Sequence, residues 1–291
     1  MKAASFEYVR PDRLETAIVF LTEHGDDAKV IAGGQSLVPM LAFRMAAPRF
    51  LVDIGRISEL RRIAIDADGI RLGALARWRD IERNEGLHRA HPLLVEAIRH
   101  VAHYQIRNRG TVGGSLAHAD PAAEMPGIAV TCEAKIVVAG IKGQRVIPAA
   151  DFFTGALTTA LQPDELIVEV RLPPWRSGRH WAFVEFARRR GDFALAGIAL
   201  FYDTENGKAC NARVGAIGVA GTPVRLPAVE ATINDNTITE TVIRAAAAAA
   251  FESVDPPDDI HAPGDYRRAL LQVLTERALS SAAQPARRDN A

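Results

Sequence analysis

Cysteine is nearly absent: Cys132 and Cys210 are the only two in 291 residues. That is too few for a disulfide framework, a four-cysteine zinc site or a metal cluster held by this chain alone. Charge of one sign is lacking too, since 35 Lys and Arg balance 35 Asp and Glu to a formal net charge of zero. A protein that neutralises phosphates carries a basic excess, so general nucleic-acid binding is disfavoured. Neutrality leaves little colloidal repulsion and suits a subunit with large partner surfaces. No apolar run reaches the roughly eighteen residues that a membrane-spanning helix needs. The opening MKAASFEYVRP has no apolar core of signal-peptide length, which makes the cytoplasm the expected location. Neither G-x-G-x-x-G nor the P-loop pattern is present, which argues against an ordinary Rossmann NAD site and a nucleoside-triphosphate loop.

What is there is the composition of a globular protein, 48% hydrophobic and 24% charged with 22 Gly and 16 Pro. The length suggests two domains. Up to about Pro173, short runs rich in branched residues alternate with helix-like stretches. The runs at 28–34, 48–55, 69–76, 133–140 and 165–173 read as strands punctuated by Gly or Pro. Residues 11–25 place Leu14, Ala17, Ile18 and Leu21 at helical spacing before Gly25, and residues 91–104 form a second amphipathic helix. The texture breaks at PPWRSGRH, 173–180. Beyond it, 181–189, 194–203 and 209–221 read as an antiparallel meander, with a hairpin turn at Asn206 and Gly207. Helix formers dominate from 222, ending with a helix over 265–279. The expected division is residues 1–175, residues 179–281 and a flexible tail over 282–291.

Two glycine motifs carry most of the information. AKVIAGGQSLVPM, 28–40, is a strand running into Gly33, Gly34, Gln35 and Ser36 and then a helix from about Pro39; RNRGTVGGSLAHADPAAE, 107–124, holds Gly113, Gly114 and Ser115 ahead of a helix opened by Asp120 and Pro121. Glycines let backbone N–H groups approach a ligand, and successive N–H groups in such turns form anion-binding nests. Neither loop has Lys or Arg at its centre. A bound anion would therefore rest on backbone and hydroxyl donors, as a dinucleotide pyrophosphate can. For either loop alone a tight strand-to-helix turn explains the glycines equally simply; two such loops in one chain favour a ligand.

AGGQSL at 32–37, QIRNRGTVGGSLAHADPAAEMP at 105–126, RRRGDFALAG at 188–197 and HAPGDYRRALLQVLTERAL at 261–279 resemble the flavin-binding medium subunits of bacterial molybdenum hydroxylases. These are the carbon monoxide dehydrogenase, xanthine dehydrogenase and aldehyde or N-heterocycle dehydrogenase family. The resemblance runs nearly the whole chain in order. It implies an α+β protein: a two-part FAD-binding domain of the vanillyl-alcohol oxidase and p-cresol methylhydroxylase type, then a small C-terminal domain with an antiparallel sheet and helices. It also implies an FAD electron-transfer subunit that receives electrons from two 2Fe-2S clusters in a small partner subunit and passes them to an external acceptor. Substrate would be hydroxylated at a molybdopterin cofactor in a large partner subunit, commonly within a dimer of heterotrimers. Neither a catalytic residue nor a metal ligand is expected in this chain.

By the same resemblance, Ala32, Gly33, Gly34, Gln35 and Ser36 with Thr111, Val112, Gly113, Gly114 and Ser115 enclose the FAD pyrophosphate. Glu124 matches an acidic position that reaches ribityl or ribose hydroxyls; as a plain sequence feature it is equally a first-turn residue favoured by the helix dipole. Asp120 reads as an N-cap. Val101, Ile167 and Phe193, with Asp192 beside the last, match the wall around the flavin ring, although Val101 and Ile167 also suit an ordinary core. Val184 and Glu185 depart from many relatives, in which a lysine often stands here. His118 is a weak candidate for metal or acid–base work, and Cys132 and Cys210 read as small core residues. Arg188, Arg189 and Arg190 are either a solvated turn or a cover for the flavin edge. The alternative function is a self-sufficient flavin oxidoreductase on the same scaffold. The substrate and the final acceptor are not legible, because the substrate pocket would lie in another chain.

Overall fold

A computed structural model of the chain describes residues 2–284. Its first half contains two larger sheets and a two-stranded ribbon, Phe153–Gly155 with Thr158–Thr159. A parallel sheet orders Glu7–Val9, Phe50–Asp53 and Ala28–Ile31. The helix Leu14–His24 buries Ala17, Ile18 and Leu21 and stops at Gly25, whose φ is 47°. A five-stranded antiparallel sheet follows, ordered Ile63–Asp66, Gly69–Gly73, Leu166–Leu172, Lys135–Gly140 and Gly143–Pro148. One face, with Val137, Ala139, Leu166 and Val168, packs on the N-terminal layer. The other, with Ile70, Leu72, Ile136, Val138 and Val170, packs under Pro92–His100, Val112–His118 and Glu124–Thr131. Burial on both faces is why the central strands carry apolar residues at adjacent positions, as at Leu166-Ile167-Val168 and Ile136-Val137-Val138, rather than strictly alternating ones.

The second half is a four-stranded antiparallel sheet, His180–Phe186, Ala196–Glu205, Lys208–Ile217 and Val224–Arg225. Asn206 and Gly207 take φ of 51° and 76° at its hairpin, the positive pair that a tight two-residue turn demands. Pro227–Ile233, Glu240–Glu252 and Gly264–Ala283 cover one face around Ile198, Leu200, Val214 and Leu271. The other face sends Phe183, Ala199, Phe201 and Ile217 into the core of the first half. Buried Arg267 donates to the carbonyls of Leu195 and Gly218 and pairs with Asp259 at 2.7 Å, tying the last helix to the start of strand Ala196–Glu205.

Four local expectations change. The helix expected over 91–104 ends at His100; Ala102 has φ 40°, and a short helix Tyr104–Arg107 follows. The Arg107 guanidinium holds this break by donating to the carbonyls of Val101 and Ala102 at 3.0 and 3.1 Å. Asp120 does not cap a helix: its carboxylate accepts from the Ala122 N–H at 2.9 Å, and the helix begins at Glu124 with Ala123 as N-cap. Cys132 is buried as expected, but Cys210 is only half-buried. The final helix extends to Ala283 with Ala282 buried, so 282 and 283 are not tail, and 285–291 lie outside the described residues.

Candidate cofactor-binding site

Between the N-terminal layer, the central helices and the edge of the second half lies a cavity of 610 Å³, within the range of cofactor sites. Fourteen of the fifteen residues proposed from sequence line it. Val112 is the exception: it is fully buried and its N–H donates to the Ala76 carbonyl at 3.0 Å. Its place in the motif is structural: it is tied to Ala76, just past strand Gly69–Gly73, and sits in the central core with Ala74 and Ala76.

The two glycine loops are built differently. In the first, the N–H groups of Gly33, Gly34, Gln35 and Ser36 have no hydrogen-bond partner among the described residues, while Gln35 folds its amide onto the Gly33 carbonyl at 2.9 Å. Gly34 has φ 73°, which a side chain would strain. A Cβ on Gly33 would run into the carbonyl of Arg109. This loop is a row of donors open to an anion.

The second loop is not such a row. Gly113 and Gly114 lie in the first turn of helix Val112–His118, not ahead of a helix. Gly113 donates to the Ala74 carbonyl at 2.8 Å, Gly114 to Thr111 Oγ1 at 3.2 Å, and Ser115 to the Thr111 carbonyl at 3.0 Å. The backbone is spent on the helix and its cap, leaving the hydroxyls of Thr111 and Ser115 for a ligand. A Cβ on Gly113 would stand 2.6 Å from that of Ala74, whereas one on Gly114 would meet only Thr111 Oγ1 at 2.8 Å and Ala32 at 3.9 Å. Gly114 faces the cavity.

Glu124 is both the first residue of its helix and a wall of the cavity, only 8% exposed. Burial, reinforced by the charge of Glu185, pushes its carboxyl up to about 8, so near neutrality it carries a proton and can donate as well as accept. Glu185 sits 3.4 Å from His100 Nδ1, and its second oxygen is buried with no partner among the described residues. Glu185 and Glu96 together raise His100 to about 9. Near neutrality His100 is therefore an imidazolium beside Glu185.

Val101 and Ile167 line the cavity, with Ile167 also in the central core. Asp192 and Phe193 stand at its edge, and Phe193 is 60% exposed, which sets aside an ordinary core role. Gly191, with φ 90°, packs against His103. The side chains of Arg188, Arg189 and Arg190 are exposed and do not line the cavity; Arg188 reaches His261 Nδ1 at 3.1 Å. His118 lines the cavity, but no group of metal-ligating side chains exists among the described residues. Sequence reasoning missed Ile54, Trp78 and Leu161, which carry no motif, and Lys29 and Ile106, which lay within the quoted AKVIAGG and QIRNRG without being singled out.

Residues 4–175 match the FAD binding domain in molybdopterin dehydrogenase, and residues 181–282 match the CO dehydrogenase flavoprotein C-terminal domain. The chain belongs to this family. It is 41% identical to the 6-hydroxypseudooxynicotine dehydrogenase complex subunit alpha of Paenarthrobacter nicotinovorans, covering 99% of this chain and 97% of that one. It is 38% identical to the caffeine dehydrogenase subunit beta of Pseudomonas sp. strain CBB1, covering 97% and 96%. Among solved structures it superimposes on carbon monoxide dehydrogenase from Hydrogenophaga pseudoflava with a TM-score of 0.94, at 37% identity over 97% of this chain and 98% of that one. Quinoline 2-oxidoreductase from Pseudomonas putida 86 gives 0.93 at 37% identity, covering 98% and 99%. The protein is thus an FAD-binding medium subunit of the molybdenum hydroxylase type, an oxidoreductase component with an FAD-binding domain followed by a C-terminal domain. No described helix is long and apolar enough to cross a membrane.

Proposed function

We propose that the 610 Å³ cavity binds one FAD noncovalently, with its pyrophosphate between the two glycine loops. The observation that carries this reading is the row of unpartnered N–H groups from Gly33 to Ser36, facing a second loop that offers hydroxyls and the bare Cα of Gly114. Four N–H donors and two hydroxyls suit a dianion bridged by short phosphate oxygens, and no Lys or Arg need enter the loops themselves. Glu124, held protonated at neutrality, can exchange hydrogen bonds with ribityl or ribose hydroxyls. The ring would lie near Val101, Ile167, Asp192 and Phe193, where Phe193 shields one face from water.

Bound flavin supplies two-electron and one-electron chemistry; the chain supplies position and electrostatics. In this reading electrons arrive from iron–sulfur clusters of a small partner subunit, substrate is oxidised at molybdenum in a large one, and an external acceptor is reduced. The working assembly would be a dimer of heterotrimers in the cytoplasm, a compartment that suits two unpaired thiols. The chain's own contribution is to exclude water and hold a proton at Glu124. The test is Gly114→Asp, which puts a carboxylate where the pyrophosphate is placed. Loss of the flavin absorbance in a variant whose flavin-free form unfolds close to the midpoint of the flavin-free natural chain supports the assignment; full absorbance overturns it.

A further inference from the structure

A second cavity, of 290 Å³, shares Ile31, Ala32, Gly33 and Thr111 with the first. Its remaining wall is dominated by Arg10, Arg61, Arg77 and Arg109, against a single carboxylate, Asp53. That carboxylate is already engaged: Oδ1 accepts from the Gly55 N–H at 2.8 Å, and Oδ2 takes Arg10 at 3.1 Å and the Tyr8 hydroxyl. Arg61 is steadied by the Gly55 carbonyl at 2.6 Å. Neither the Arg77 nor the Arg109 guanidinium has a carboxylate partner among the described residues; only the Arg77 backbone N–H reaches one, Asp80 Oδ2 at 3.4 Å. The four arginines that line this open concavity outnumber its one carboxylate by three charges, and guanidinium groups cannot shed a proton to relieve the excess.

The backbones of Arg77 and Arg109 are tied to the glycine loops. Arg77 forms a backbone bridge with Thr111, the adjacent Trp78 N–H donates to the Gly110 carbonyl at 3.3 Å, and the Arg109 carbonyl lies against Gly33. A concave basic wall focuses potential, and the planar guanidinium fork matches oxyanions. The volume fits an ion the size of phosphate with a few waters, each of which takes about 30 Å³.

We propose that this cavity is a binding site for a phosphate-type oxyanion, held by Arg77 and Arg109, and that its filling weakens flavin binding through the shared wall. An anion here cancels positive potential immediately beside the loop that receives the pyrophosphate. By linkage the flavin lowers the anion's affinity by the same factor. The site itself stands on the arginine cavity, while the coupling rests on the flavin reading above.

The experiment is calorimetric titration of the full-length, flavin-free chain with inorganic phosphate at constant ionic strength, followed by FAD titration with and without saturating phosphate. One saturable site is expected, weakened at least about tenfold in R77Q/R109Q and intermediate in R77K, which keeps the charge and loses the fork. R244Q, which removes a solvent-exposed arginine of another helix, should bind as the natural chain does. FAD affinity should fall about fivefold in saturating phosphate, and that fall should vanish in R77Q/R109Q. Absence of a saturable site, or equal binding by R77Q/R109Q folded to the same midpoint, overturns the anion site. Phosphate binding with no change in FAD affinity overturns the coupling, and phosphate binding by a chain that takes up no FAD leaves the site standing and removes the flavin reading instead.

Discussion

The two glycine loops look alike as sequence, Gly33-Gly34-Gln35-Ser36 against Gly113-Gly114-Ser115, yet they do opposite things with their backbone. The first leaves four successive N–H groups without partners among the described residues. The second spends the N–H groups of Gly113, Gly114 and Ser115 on Ala74 and on the cap of its own helix. The glycines differ as well. Gly33 and Gly113 are required by neighbouring protein, Gly34 by its positive φ, and only Gly114 by the space in front of it. A shared dipeptide therefore reports a shared steric need, not a shared way of meeting an anion.

That contrast can be broken by substitutions that separate folding from flavin uptake. The widest separation pairs G114D with Gly33→Ala. G114D should lose flavin with little change in unfolding, whereas Gly33→Ala forces a methyl into the Arg109 carbonyl and should cost stability by roughly 2–4 kcal/mol. Denaturant midpoints with flavin absorbance distinguish the two; equal stability losses would mean that both glycines serve packing. Thr111→Val removes both the cap of helix Val112–His118 and a ligand hydroxyl. It should lower stability by about 1 kcal/mol and FAD affinity by roughly tenfold, while Ser115→Ala should lower affinity alone.

Glu124 offers a subtler test, through pH. Its proton is held more tightly in the folded chain, to about 8 against an ordinary 4.5. The stabilisation is complete below 4.5 and drains away as pH rises through about 8. His100, raised to about 9, adds a loss of the same sign above 6.5. Buried His91, lowered from 6.5 to about 3, acts oppositely below 6.5. Comparing the natural chain with Glu124→Gln cancels both histidines: their stability difference should change between pH 5 and 6.5 by up to about 1.4 kcal/mol per pH unit. Parallel curves from chemical denaturation would show Glu124 ionised like a surface carboxyl. The smallest structural effect is expected of Phe193→Ala. With the ring 60% exposed, the unfolding midpoint should barely move, while flavin absorbance, fluorescence and midpoint potential shift. Unchanged spectra would remove Phe193 from the ring's surroundings.

Much of the framework was legible because it rests on local rules. The strands at 28–34, 69–76, 133–140 and 165–173 appear at Ala28–Ile31, Gly69–Gly73, Lys135–Gly140 and Leu166–Leu172. The Asn206-Gly207 turn appears where its dihedral preference demands. Helix ends were less legible. His100 ends its helix because Arg107, seven residues on, captures two carbonyls, and the final helix persists to Ala283 with Ala282 buried. Such tertiary partners leave no periodic trace.

The order of residues alone determined that two glycine turns exist, that the central strands are rich in branched apolar residues, and that no cluster-binding cysteines accompany them. Short-range sterics and hydrophobic periodicity act between neighbours in the chain, so they can be read there. Which N–H groups stay open, why Val112 turns inward, how Glu124 comes to hold a proton and how four arginines gather beside the first loop were decided only by the tertiary structure. Each depends on groups far apart in sequence being packed together, since desolvation, electrostatic field and hydrogen-bond competition depend on distance in space.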